Sequence, residues 1–159
     1  FHWLSAAVLI IQIPLGMYLV DMDFSEKRLT IENIHVAVGI SIFYLTILRL
    51  IYKTFNPTPN LNNNIFPGQK IIAKLNHVFL YISILMITIS GALKKLYNGE
   101  ELNMFFFNLE IQDNFELAEI FYEIHILGNY TLIALISLHI FAVLIHKILF
   151  KENLLKRIL

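Results

Sequence analysis

The chain has 159 residues, 57% of them hydrophobic and 15% charged, with a formal net charge of zero and a mean hydropathy of +0.67. Its apolar residues fall in long runs, as in membrane-spanning helices, rather than in the stripes of a soluble domain. With no cysteine, disulfides, thiolate zinc sites, iron–sulfur clusters and haem attached through a cysteine pair are excluded, and the neutral balance gives a nucleic-acid partner no electrostatic support.

The first run, FHWLSAAVLIIQIPLGMYLV, is uncharged and predicts a span over about 1–20, kinked near Pro14 and Gly16. It opens on Phe1 and lacks a cleavage-site pattern, so a retained span with a natural N-terminus further upstream is expected. A second span is predicted over about 31–52, followed by the irregular loop NPTPNLNNNIFPG. The third covers about 75–93. In the connector 94–119, the stretch NMFFFNLEIQDNF is expected to lie at the membrane surface. The fourth covers about 120–146. Each run is close to the roughly 20 residues needed to cross a bilayer. No internal repeat is visible, and residues 1–159 read as one all-α membrane domain, a four-transmembrane-helix bundle.

Charge orients the bundle. Arg49, Lys53, Lys70, Lys74, Lys147, Lys151, Lys156 and Arg157 fall on one side. The opposite side holds Lys27, Arg28, Lys94 and Lys95 together with every acidic residue except Glu152. By the positive-inside rule both termini of this multi-pass membrane chain are expected to face the cytoplasm, and the outer face is acidic.

Ionisable residues inside spans are expensive and are functional candidates, the alternative being a hydrogen bond between helices. His125 and His139 are 14 residues apart, which puts them about 40° apart around one helix and about 21 Å apart along it. His125 lies near the outer end, as does His35, one turn after Glu32. His139 lies in the inner half, as does His2. Two pairs result, His35 with His125 and His2 with His139, each joining two helices at one depth. Facing neutral imidazoles suit axial ligation of haem iron, and two layers in one bundle form a transmembrane electron path. Gly39 and Gly128 beside the outer pair are expected to let a porphyrin approach, or else to serve helix packing. Zinc is a weaker alternative, since two imidazoles give it too few ligands.

Arg49 shares the face of His35 at the inner end and is expected to meet a haem propionate; the alternative is a snorkelling side chain. His77 and His146, beside Lys74 and Lys147, are expected to line a quinone pocket near the inner haem, or to bond water and headgroups. No catalytic residue is assigned.

These residues resemble a known family. HWL opening the first span, IHVAVGISIFYLTILRLIYK in the second, PTP after it, NHVFLYISIL in the third, IHILGNYTLIALISLHIFAVLIH in the fourth and the tail FKENLLKRIL are together similar to the prokaryotic cytochrome b561 family, four-helix diheme proteins of the bacterial inner membrane. The resemblance covers nearly the whole chain. It implies two haem b groups, the inner on His2 and His139 and the outer on His35 and His125. It also implies exchange with ubiquinone or another quinone at the cytoplasmic side, where His77 and His146 match.

Members of the family carry electrons to or from quinone, and one described activity is superoxide oxidation with electrons passed to ubiquinone. Here four basic residues face eleven acidic ones on the outer side, a net of minus seven, which opposes an anionic substrate. A local funnel of Lys27, Arg28, Lys94 and Lys95 is the feature that would favour superoxide; a basic periplasmic redox protein is the other expected donor. The function expected is therefore a quinone-linked oxidoreductase, monomeric or homodimeric among membrane lipid. The alternatives are a haem-bearing membrane subunit of a larger dehydrogenase or hydrogenase and, from another class, a non-redox transporter or scaffold.

Overall fold

The computed structural model describes residues 2–56, 68–149 and 151. Four helices follow one another, α1 (His2–Val20), α2 (Glu26–Phe55), α3 (Gln69–Tyr97) and α4 (Phe115–Leu149), with two short strands, β1 (Leu102–Asn103) and β2 (Asn108–Leu109), between the last two helices. All four helices are long and apolar enough to cross a membrane. Phe1, the PTP loop and the tail bearing Lys156 and Arg157 lie outside the described residues.

The last three helices overrun the predicted spans because caps, not hydropathy, set their ends. Ser25 is extended and its Oγ accepts from the Arg28 N–H, starting α2 five residues early. Asn56 closes α2 by donating both its backbone N–H and its side-chain amide to Tyr52 O at 3.0 Å. Asn114 caps α4 by accepting from Leu117 N–H at 3.1 Å, while its own N–H bonds Tyr97 O and ties α4 to the end of α3. With 35 residues, α4 is about 52 Å long. That exceeds the roughly 30 Å of hydrocarbon, so part of it stands in water. α1 runs unbroken through Pro14.

The helices alternate in direction. Arg28 of α2 caps the outer end of α1, donating to Leu19 O (2.8 Å) and to Met22 O. Lys94 of α3 pairs with Glu32 of α2 at 3.1 Å. At the other end Gln69 of α3 is hydrogen-bonded to His146 of α4. α3 packs against α4 most closely, α2 against α3 and α1 against α2.

The packing suits a lipid solvent. Ile10, Leu127 and Ile148 are about 70% exposed, while Thr46, Ser83 and Ser90 are buried. Small polar residues let helices approach, and their hydroxyls bond their own helix: Thr46 donates to Ile42 O (2.7 Å) and Ser90 to Ile87 O (3.0 Å).

The connector before α4, which holds the stretch expected at the membrane surface, has a defined fold. It is an antiparallel hairpin pairing Leu102 with Leu109 and Asn103 with Asn108. Asn103 Oδ1 accepts from Phe105 N–H at 2.8 Å, and Phe105 takes a left-handed φ of 68°, so the chain reverses at an aromatic run. Leu102, 1% exposed, packs with Ile40 and Leu96.

Candidate functional site

In the outer layer the rings of His35 (α2) and His125 (α4) lie 6.2 Å apart between centroids, nearly perpendicular at 77°. Each ring rests on a glycine of a neighbouring helix. A Cβ on Gly16 of α1 would come within 2.9 Å of His35 Cε1, and one on Gly91 of α3 within 2.9 Å of His125 Cε1 and Nδ1. Only glycine admits an imidazole at either place.

Of the two glycines expected beside a porphyrin, one lines the cavity and the other packs helices. A Cβ on Gly128 would press Ile87 Cγ1 at 2.9 Å, so Gly128 serves α3–α4 packing, the alternative reading. Gly39 lines the cavity beside Gln12. Gly16 and Gly91 were hidden in the sequence because their work depends on the register of a different helix from the histidine each one seats.

His125 Nδ1 is 2.9 Å from Ile87 O. A carbonyl only accepts, so Nδ1 carries the proton and Nε2 holds the lone pair that a metal would need. Nδ1 of His35 is buried without a hydrogen-bond partner among the described residues. Gln12 of α1, which sequence reasoning passed over, is 7% exposed. Its Nε2 donates to His35 O at 2.7 Å and its Oε1 is buried without a partner. The one signal for it was an amide in an otherwise apolar span. A cavity of about 750 Å³ is lined by Gln12, Gly16, His35, Gly39, Gly91 and His125, within the range of pockets that hold a bulky organic ligand.

The inner layer is more crowded. His2 and His139 lie 6.3 Å apart between centroids and tilted by 54°. His77 of α3 lies nearer still, 5.3 Å from His139. Arg49 Nη2 is 2.9 Å from His2 Nδ1; a guanidinium only donates, so this nitrogen of His2 accepts. Asn76 Nδ2 is 3.4 Å from His139 Nδ1. Tyr81 carries the Arg49 guanidinium and the Lys53 ammonium over its ring, at 5.5 and 5.2 Å. The two residues expected to form a quinone pocket are placed apart. His77 sits in the histidine layer, and His146, with Gln69, lies about 10 Å further along α4 from His139 by helical rise.

Two imidazoles sharing one metal ion would have ring centres about 6.3 Å apart, from a metal–nitrogen bond of about 2.0–2.1 Å on each side plus roughly 1.1 Å from nitrogen to ring centre. The pairs at 6.2 and 6.3 Å fit this spacing. His77 with His139, at 5.3 Å, is too close.

At the outer rim Arg28 and Lys94, with Asp21 and Glu32, line the same cavity as His35 and His125. Lys94 is paired with Glu32, Lys95 with Glu100, and Arg28 caps α1. Burial pushes the Glu100 carboxyl up, but hydrogen bonds from Lys95 and Asn98 outweigh it and hold Glu100 below the ordinary value of 4.5. Lys27 stays exposed among exposed Asp21, Asp23 and Glu26.

The sequence model of the family described as prokaryotic cytochrome b561 matches residues 1–159. Cytochrome b561 homolog 2 of Escherichia coli (strain K12) is 25% identical over 163 residues, covering 100% of this chain and 87% of the relative. Cytochrome b561 homolog 1 of the same organism is 28% identical over 137 residues, covering 85% and 78%.

Proposed function

The chain belongs to the prokaryotic cytochrome b561 family, multi-pass bacterial membrane proteins that bind haem b and transfer electrons, and within that family we propose that it is a diheme cytochrome passing electrons between a donor at the acidic face and membrane quinone at the basic face. The observation that carries this reading is the spacing of two histidine pairs, 6.2 and 6.3 Å, in layers about 21 Å apart along α4.

His35 and His125 would hold the outer haem and His2 and His139 the inner one. Bound haem supplies one-electron chemistry; the protein supplies orientation and exclusion of water. In the outer layer Ile87 O fixes the His125 tautomer and Gly16 and Gly91 seat the rings. In the inner layer, His2 would present Nε2 to a metal only as the tautomer with its proton on Nδ1, which the Arg49 contact at 2.9 Å opposes. The Arg49 guanidinium is the nearby group that would suit a propionate. Asn76 has no such conflict, since its amide can turn its oxygen toward His139 Nδ1. His77 and His146 serve the quinone side, His77 against the inner layer and His146 at the boundary with Gln69. The membrane is the bacterial inner membrane, with both termini cytoplasmic.

The ion pairs of Lys94 and Lys95 favour a basic redox protein over superoxide as donor, because they neutralise the charges that would draw in an anion. The same acidic rim supports a second reading, a haem-bearing subunit docked to a larger dehydrogenase or hydrogenase.

Stopped-flow reduction of the haems, followed by mixing with ubiquinone, tests the proposal. Superoxide and a basic reduced cytochrome are compared as donors. Reduced haem that quinone reoxidises, with rates lost in the His77→Ala variant, is the expected result. Haem that no quinone reoxidises contradicts the reading.

A further inference from the structure

The hairpin between α3 and α4 changes in polarity from base to tip. Its two sides mirror one another: Glu101 and Glu110 at the base, Leu102 opposite Leu109, Asn103 opposite Asn108, then Met104 and three phenylalanines at the turn. Phe105, Phe106 and Phe107 are 54, 84 and 52% exposed.

The depth of that turn is fixed by α2. Glu32 marks the outer rim through its pair with Lys94. Tyr44 lies twelve residues further along the same helix, about 18 Å inward. Its hydroxyl donates to Met104 O at 3.1 Å, and its ring meets those of Phe105 and Phe106 at 6.4 and 6.0 Å. A tyrosine leaning back toward its helix N-terminus recovers at most about 6 Å. The turn is therefore deeper than His35, which is only about 4.5 Å below Glu32. At that depth an exposed phenylalanine faces hydrocarbon.

Lipid-exposed non-helical backbone is not tolerated inside hydrocarbon, so a turn of this kind belongs at the boundary with the headgroups, with its apolar side chains reaching inward. Here Met104 N–H donates to Phe107 O (2.9 Å), Phe105 N–H to Asn103 Oδ1 (2.8 Å), and Met104 O accepts from Tyr44. The acidic residues stay at the base, where Glu100 holds Lys95 and Asn114 is tied to Tyr97 O.

We propose that residues 101–110 form a hairpin dipped into the outer leaflet, the side chains of Phe105, Phe106 and Phe107 among acyl chains, the backbone of the turn at the headgroup boundary and Glu101 and Glu110 in the headgroup layer. The hairpin covers the α2–α3 groove at Ile40 and anchors the acidic connector beside the outer histidine layer. This inference is independent of haem or quinone binding.

The chain has no cysteine, so a single Phe106→Cys variant takes one nitroxide label. The haem-loaded protein is reconstituted in phosphatidylcholine vesicles, and label accessibility to oxygen and to a polar nickel chelate is measured by power saturation. Lys27→Cys gives the aqueous reference and Ile11→Cys, 69% exposed on α1, the lipid reference. The oxygen-to-nickel ratio should rise from position 27 to 106 most of the way to its value at 11. Asn108→Cys, nearer the base, should be intermediate and guards against a perturbed tip. A label at 106 as open to nickel as that at 27 overturns the proposal in favour of a water-exposed loop. A label shielded from both reagents overturns it in favour of a tip covered by protein, a second copy or a partner.

Discussion

His35 and His125 meet with a glycine behind each ring, whereas no glycine backs the three histidines of the inner layer. The outer pair is isolated in its cavity, one tautomer already fixed by a backbone carbonyl. The inner pair shares its space with His77, Arg49, Asn76 and Tyr81. The two layers hold their pairs at nearly the same separation, so the difference lies in what surrounds the ligands. A rigid seat suits a centre that only passes electrons. A polar surround that can rearrange suits one that must also meet a substrate and its protons.

The largest expected effect divides the layers outright. His35→Ala and His125→Ala should each remove the outer haem and leave the inner one, read by pyridine haemochrome. His2→Ala should remove the inner haem alone; retention of that haem would show His77 taking over as ligand and would erase the distinction drawn between 5.3 and 6.3 Å. Next comes the seat. Gly91→Val should overpack His125 by about 1–3 kcal/mol, lowering outer-haem affinity roughly 5- to 150-fold while the inner haem titrates unchanged. Arg49→Ala acts on the other layer, removing a cation near the inner haem. Its midpoint potential should fall by tens of millivolts, roughly 59 mV for each tenfold change in a one-electron couple, and Arg49→Lys should restore the charge but not the bidentate contact.

The smallest effect belongs to the outer rim. The folded-state value of Glu100 is lowered, so its contribution to stability is present above pH 4.5 and is lost as pH falls through the lowered value. Thermal melts of the solubilised protein should show acid sensitivity below pH 4.5 that Glu100→Gln reduces, with no change in haem content.

Depth was legible in the sequence because a spanning helix turns residue number into height. That is why His35 could be matched with His125, and His2 with His139, before any contact was known. Lateral register was not legible. His77 reads as an end-of-helix residue beside Lys74, yet the packing of α3 on α4 sets it against His139. Arg49 reads as a residue on the face of His35, and it meets His2. The hairpin escaped because its strands are two residues long, too short for alternation to register, and its phenylalanine run resembles a surface-seeking segment. Helix ends beyond the apolar runs were marked only by Ser25 and Asn114, whose capping role depends on local backbone geometry.

The central claim is that each histidine pair holds one haem. The ratio of haem to protein in the purified chain and in its four single histidine variants tests it most directly. About two haems per chain falling to about one in each variant is the predicted result. A wild-type ratio of one or less, or a variant that loses both haems or neither, contradicts it.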